Sequence, residues 1–490
     1  MTETNLLFLF TDEQRADTMA AYGNERIQTP NLNRLAREST VFENAYVTQP
    51  VCTPSRSTIM TGLYPHTSGC VENNVPLPDD VPCLPEMLPE GEYATGYFGK
   101  WHLGDEIFAQ HGFEEWVSIE DMYIPHYSEG RDRDARSSYH HFLVENGFEP
   151  ESGTVFGRGQ AARLPEQYSK PAFLAQETSR FIRENRDRPW VAYVNFLEPH
   201  MPFFGPRDDQ HDPSEVKLPD NFESVPTEDQ PLLARLMQRC YPIYGHSGLP
   251  LKTEADWRRL IANYWGLCSL VDTYVGEILA TLEDCGLDEN TIVVYTSDHG
   301  DMMGSHQLLA KCVMFEEAVR VPLLLRLPGQ NAALRVPHPV SQVDLVPTLL
   351  DLMRHSSPDH LEGHSLCGAI EEGAMPPQED VFIEWNGRNA SGLGRALGED
   401  ELPEPLAEIA SMAEAEEAAT DPVRTVVTPD GWKMNWSQRG DHELYNLNED
   451  PGETRNLAAD NGLQPRMRRL ADRIRAWQQQ TGDGVVLPEL

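Results

Sequence analysis

Five short apolar or β-branched runs alternate with helical stretches along the first two-thirds of the chain, and this alternation most restricts the fold. The runs are NLLFLFT (5–11), YATGYF (93–98), WVAYVNF (190–196), TIVVYTS (291–297) and VPLLLR (321–326). Most are continuously apolar rather than alternating, the pattern of a strand buried on both faces. Helices are expected at 30–38, 55–61, 172–185, about 254–284 and 341–353. Strands that alternate with helices imply an α/β fold with a large, mostly parallel central sheet flanked by helices.

This pattern ends near residue 370. Shorter strands are expected at 381–385, 423–427 and 431–436, then the turn-rich stretch HELYNLNEDPGETRNL (442–457) and an amphipathic helix over 464–479. Residues 1–375 therefore read as the larger α/β domain and 376–490 as a smaller C-terminal α+β subdomain. The acidic, low-complexity stretch 391–421 reads as an exposed insertion within the latter.

Charge narrows the partners. Against 39 basic residues stand 78 acidic ones, a net charge of −39, so nucleic acid and anionic membranes are expected to be repelled. No run reaches the roughly 18 to 20 apolar residues that span a bilayer, and MTETNLLFLFTDEQ lacks the basic start of a secretion signal. A cytoplasmic location is the expectation. The eight cysteines are scattered without C-x-x-C pairing and read as free thiols. Only six residues are lysines: 100, 170, 217, 252, 311 and 433.

In open α/β sheets, functional residues gather beyond the carboxyl ends of the strands. There the sequence places Asp12-Glu13, then Lys100-Trp101-His102, then Glu198-Pro199-His200, then Asp298-His299-Gly300. Asp and His offer oxygen and nitrogen ligands in one turn. A metal site of Asp12, Asp298 and His299, with Glu13 as a further donor, would be ringed by Arg56, Lys100, His102, His200 and Lys311. Metal and cations at one spot suit a tetrahedral oxyanion and the charge developing on it. The segment VCTPSRSTIMTG (51–62) adds a helix start, with Pro54 at the first helical position and Thr53 as N-cap. Cys52 stands just before it.

Cys52-Thr53-Pro54-Ser55-Arg56 resembles the C-x-P-S-R signature of the type I, formylglycine-dependent sulfatases of the alkaline phosphatase superfamily. GKWHLG (99–104), Pro199-His200, SDHGDMMGSH (297–306) with Lys311, EEAVRVPLLLR (316–326) and the 442–457 stretch resemble further family blocks in the family order. The resemblance implies an alkaline-phosphatase-like sandwich, with residues 1–375 as the catalytic domain. It also implies that a maturation enzyme converts Cys52 to Cα-formylglycine. One hydroxyl of the hydrated aldehyde would attack sulfur and displace the alcohol, and the second would expel sulfate.

By the same resemblance, Asp12, Asp298, His299 and the formylglycine oxygen from Cys52 are metal ligands. Glu13 stands where many members carry a second Asp. Arg56 orients the formylglycine, Lys100 and Lys311 clamp sulfate, Lys311 or His200 protonates the leaving oxygen, and His102 is a base. Ca²⁺ is the implied ion, with His299 leaving Mn²⁺ or Mg²⁺ open. The substrate class is a small or oligosaccharide sulfate ester, a sulfated sugar before an aryl or choline sulfate. Its specificity would lie in loops at 105–170, 203–250 and 387–420. The alternatives are a phosphonate monoester or phosphodiester hydrolase and, from another class, a non-catalytic relative that binds sulfated ligands. The intact set of Cys52, Arg56, Lys100 and Asp298 argues against the latter.

Overall fold

Strand β1 (Asn5–Asp12) lies inside the larger sheet, and its residues explain why. Leu6, Phe8 and Phe10 pack into one layer, Leu7 and Leu9 into the opposite one, and all five are fully buried. Alternate side chains of a strand point to opposite faces, so a run apolar at every position needs a cover on both. The computed structural model describes residues 3–371, 379–387 and 392–490.

The other strands of this sheet are β2 (Thr40–Tyr46), β3 (Ala94–Gly99), β4 (Glu115–Ser118), β5 (Trp190–Pro199), β6 (Thr291–Ser297), β7 (Arg320–Arg326) and β8 (Leu334–Ser341). Their order is β4-β3-β5-β1-β6-β7-β2-β8. Only the β6–β7 and β7–β2 pairings are antiparallel, so β7 alone opposes the rest. The five expected strands form, and they share this sheet. Sequence reading did not foresee β2, β4 and β8. β2 is interrupted by Glu43 and Asn44, β4 is four residues long, and β8 is a proline-bearing edge strand. Prolines blunt such edges because they offer no N–H to a further strand.

The helix carrying the C-x-P-S-R segment corrects one expectation. It spans Cys52–Thr61, preceded by extended Val51, so Cys52 rather than Pro54 opens it. Thr53 lies inside the helix and caps nothing there. Its hydroxyl donates instead to the His102 carbonyl at 2.7 Å, a long-range bond that ties the helix to the loop after β3. The expected helix over 341–353 is a short 3-10 turn, Gln342–Asp344, followed by the helix Leu345–Leu352.

A second, four-stranded antiparallel sheet runs β12-β11-β10-β9, with β9 Val381–Asn386, β10 Pro422–Val427, β11 Trp432–Ser437 and β12 Glu443–Asn446. β12 falls in the stretch read as turns. The helix Gln464–Thr481 packs Met467, Leu470 and Ile474 onto Val426, Met434, Trp436 and Leu444. Lys433 ties this sheet to the larger one, with its ammonium 2.9 Å from both the Glu316 and Glu453 carboxylates. The expected domain boundary at 375/376 lies outside the described residues, as does residue 391, where the acidic stretch begins. From 392 that stretch is not merely exposed. It forms short helices, among them Met412–Ala419, whose Ala415 and Ala418 join a buried layer with Leu236 and Met237 while their acidic neighbours face out. Among the described residues, no helix is long and apolar enough to cross a membrane, and no disulfide joins the cysteines.

Candidate active site

Parallel strands present their carboxyl ends on one edge, and the site is assembled there. The β1–β5 register shifts between Thr11 and Asp12, so that Asp12 pairs with Pro199 and the strands part at their ends. Glu13 then adopts a left-handed backbone (φ 71°), and its N–H donates to Asp298 Oδ1 at 3.1 Å. This turn brings the carboxylates of β1 and β6 together.

Both carboxylates are oriented in the same way. Asp12 Oδ2 accepts from Lys100 Nζ at 2.5 Å and Arg56 at 2.9 Å, while Oδ1 faces Cys52 Sγ at 3.7 Å and His299 Nε2 at 3.6 Å. Asp298 Oδ2 accepts from Arg56 Nε at 2.9 Å, and its Oδ1 lies 3.5 Å from His299 Nε2. Cys52 Sγ and His299 Nε2 are 3.3 Å apart. Each carboxylate thus gives one oxygen to cations and turns the other toward a four-donor cluster of Asp12, Cys52, Asp298 and His299. His299 Nδ1 lies 2.9 Å from the Gly300 carbonyl, which can only accept. Nδ1 therefore carries the hydrogen and Nε2 presents a lone pair to the cluster. Burial lowers the His299 pKa, keeping the ring neutral.

Arg56 is fully buried and binds four groups: Asp12, Asp298, the Lys100 carbonyl at 2.6 Å and Asn195 Oδ1 at 3.0 Å. Burial pushes the Asp12 pKa up, but Lys100, His200 and Arg56 together hold it well below the usual carboxylate range. Lys311 and His200 meet at the Glu13 carboxylate, Lys311 Nζ at 3.1 Å and His200 Nε2 at 3.3 Å from Oε2. Glu13 Oε1 is buried without a partner, and burial raises this carboxyl to about 8. Glu13 thus sits beside the four-donor cluster, grouped with Asp12 and His200 instead. His102 borders the site in a left-handed turn (φ 60°), with the Glu106 carboxylate accepting its N–H at 2.7 Å. Its Nε2 lies 3.0 Å from Asn74 Oδ1, and its buried Nδ1 has no partner. Burial, with Lys100 and Arg56 nearby, holds His102 well below the ordinary histidine range.

Cys52 is 2% exposed at the start of its helix. Burial and the Asp12 carboxylate raise its thiol pKa. The unmodified thiol is therefore protonated at neutral pH, and a thiol is a far weaker nucleophile than a thiolate.

Asp12, Glu13, Lys100, His102, His200, Asp298 and His299 come together from the strand ends, with Cys52, Arg56 and Lys311, whereas Trp101 packs into the aromatic core. Sequence reading missed Asn195 and Glu106. Asn195 had a signal, as the one polar side chain in VAYVNF. Its Nδ2 donates to the Phe10 carbonyl at 3.2 Å while Oδ1 holds Arg56. Asn195→Leu strands a buried carbonyl and an Arg56 N–H. We expect it to cost about 1–3 kcal/mol in denaturant unfolding and to lower kcat.

The family model that matches this chain is Sulfatase, over residues 4–355. Among curated relatives, the choline-sulfatase of Rhizobium meliloti is 29% identical over 471 residues, covering 93% of this chain and 82% of its own. An ulvan-active sulfatase of Formosa agariphila is 28% identical over 395 residues, covering 78% of this chain and 68% of its own. Among solved structures, a phosphonate monoester hydrolase from Silicibacter pomeroyi aligns with a TM-score of 0.77 at 22% identity, covering 98% of this chain and 96% of that one. That likeness shows a shared fold.

Proposed function

The chain belongs to the sulfatase family of the alkaline phosphatase superfamily, and on that premise we propose that it hydrolyses a sulfate monoester through a formylglycine made from Cys52. The observation that carries this reading is the four-donor cluster of Asp12, Cys52, Asp298 and His299, with Arg56, Lys100 and Lys311 packed around it. The Cys52 sulfur stands here for the oxygen of the hydrated aldehyde. That group would supply one hydroxyl to attack sulfur and a second to release sulfate without water attacking the ester.

The donor set fits a divalent ion. Two carboxylate oxygens and the oxygen made from Cys52 suit Ca²⁺, which takes oxygen ligands, while the His299 nitrogen leaves Mn²⁺ or Mg²⁺ open. Asp12, Asp298, His299 and the Cys52-derived oxygen would hold the ion, with Glu13 joining through its unpartnered Oε1. Bound there, it would withdraw charge from a sulfate oxygen.

The remaining roles follow from position. Arg56 orients the modified residue and neutralises two carboxylates. Lys100 and Lys311 hold the sulfate oxygens. His200, with its hydrogen on Nδ1 beside the Met201 carbonyl at 2.9 Å, presents an Nε2 lone pair to the site, so the Lys311 ammonium is the group that delivers a proton to the departing alcohol. His102 Nδ1, buried and unpartnered, accepts a proton as sulfate leaves. The similarity to the choline- and ulvan-active sulfatases supports a sulfated sugar or small sulfate ester as substrate. The phosphonate monoester hydrolase fold keeps phosphonate and phosphate diesters as the second reading.

The test pairs sulfate, phosphate-diester and phosphonate esters on protein purified from its native host, with mass analysis of the peptide around residue 52. Preferred sulfate hydrolysis and a formylglycine mass are expected. A preference for phosphonate would move the assignment to the second reading, and an unmodified cysteine in active protein would overturn the mechanism. Chelation with EGTA should abolish turnover and lower the melting temperature. Added Ca²⁺ should restore both more fully than Mg²⁺, since bound metal stabilises the fold by mass action.

A further inference from the structure

Beside the cluster stands a cation that the reaction above does not use. Arg158 lies in the 105–170 loop, between β4 and the helix Lys170–Glu184. Its Nε donates to Glu120 at 2.7 Å, one terminal nitrogen donates to Tyr123 Oη at 3.0 Å, and the other lies 3.5 Å from His200 Nδ1. Two of these contacts lead back into the site. The Tyr123 ring sits 4.4 Å from the His102 ring and 5.9 Å from Lys100 Nζ. His200 faces Glu13 with its other nitrogen.

The contact with His200 is not a hydrogen bond. Nδ1 lies 2.9 Å from the Met201 carbonyl, an acceptor only, so Nδ1 gives its hydrogen to that carbonyl and has no lone pair for Arg158. Of the five N–H groups of this guanidinium, two have acceptors, and three have none among the described residues. Glu120 is shared between Arg158 and Lys170, with the buried carboxyl of Glu198 near both cations. The Arg158 side chain is 17% exposed, so it is not sealed within the core.

We propose that Arg158, held by Glu120 and Tyr123, is a specificity determinant that binds a second anionic group on the substrate. The substrate is then a sulfated sugar that also bears a carboxylate or another sulfate group. The second anion would meet the unsatisfied edge of the guanidinium while the scissile sulfate lies across the His200 ring among Lys100, Lys311 and the metal donors. A planar fork suits both oxyanions. The proposal rests on the sulfatase reading, since it places the second group relative to a bound sulfate ester.

The test uses the full-length, matured protein and compares kcat/KM for glucose monosulfates with the matching glucuronate monosulfates and glucose disulfates. 4-Nitrophenyl sulfate serves as control. One or both dianionic arms should exceed the glucose monosulfate by about tenfold or more, the range of a charged hydrogen bond. Arg158→Met should erase that preference while changing turnover of 4-nitrophenyl sulfate by less than about threefold, a split that general loss of structure would not give. Arg158→Lys covers the case in which the Met variant does not fold. It keeps a charge for Glu120 but loses the fork, and most of the preference should go with it. The carboxylate and disulfate arms separate the two anion sources. Equal rates on mono- and dianionic sugars, or an equal loss on every substrate in the variants, would overturn the proposal and leave the sulfatase reading standing. Failure of wild type on every sulfate ester, the aryl control included, would overturn both.

Discussion

Cys52→Ala is expected to reduce turnover of sulfate esters by at least about 10⁴-fold, the scale on which losing a nucleophile is felt, and to leave the fold intact. Both halves follow from where the residue sits. Cys52 is the first residue of the helix Cys52–Thr61, and Ala is the best residue for a helix. Removing the sulfur leaves Asp12 bonded to Lys100 and Arg56, Asp298 bonded to Arg56 and His299 bonded to the Gly300 carbonyl, so no buried charge loses its partner. Circular dichroism and the melting temperature should therefore match the metal-free parent while activity is lost. Cys52→Ser separates the nucleophile from the release step. A single hydroxyl can attack sulfur and expel the alcohol, but it has no second hydroxyl to eject sulfate. This variant should accumulate one sulfo group per chain on the introduced hydroxyl without sustained turnover, visible by intact mass. Full activity in the Ala variant would remove Cys52 from the mechanism.

The sheet edge was readable in sequence because a strand buried on both faces leaves a continuous apolar signature. β1 and β6 show it plainly, and the residues at their ends are the ones that meet. Strands without that signature escaped. β8 is a proline-bearing edge, and β12 lies within a run of turn residues, so pattern alone could not separate it from a loop. The capping role expected of Thr53 failed for a different reason. A hydroxyl chooses the best carbonyl in three dimensions, and His102, 49 residues away, supplied it. Arg158 was invisible on the same grounds. Nothing in GRGQ marks a functional arginine, and its meaning depends on Glu120, Tyr123 and His200, which only the fold brings to it. Glu13 carries the limit of residue-by-residue reading. Its place in the sequence suggests a ligand, and the fold splits its two oxygens, Oε2 meeting Lys311 and His200 while Oε1 is left without a partner.

Arg56→Met is expected to abolish activity and, unlike Cys52→Ala, to destabilise the fold strongly. Met matches the length of the arginine stem and fills its volume without a charge. What it cannot replace is the neutralisation of Asp12 and Asp298, both fully buried. Removing one partner from a buried ion pair costs about 3–5 kcal/mol, because the charge left behind has neither water nor a counterion. Here one guanidinium serves two carboxylates, and only Asp12 keeps another cation, Lys100 at 2.5 Å. Asp298 would be left with the Glu13 N–H at 3.1 Å and the neutral His299 ring. The Lys100 carbonyl would lose its Arg56 bond while keeping the one from Tyr97 Oη, also 2.5 Å, and Asn195 Oδ1 would lose its donor. Ca²⁺ binding should partly rescue stability in this variant, since a divalent ion supplies positive charge at the inward oxygens of both carboxylates. The measurement is chemical unfolding of parent and variant with Ca²⁺ and with EGTA. A variant as stable as the parent in EGTA would show that Asp12 and Asp298 do not depend on Arg56 for their charge. The larger Ca²⁺-induced gain expected of the variant would place ion and guanidinium as two supports for the same pair of carboxylates.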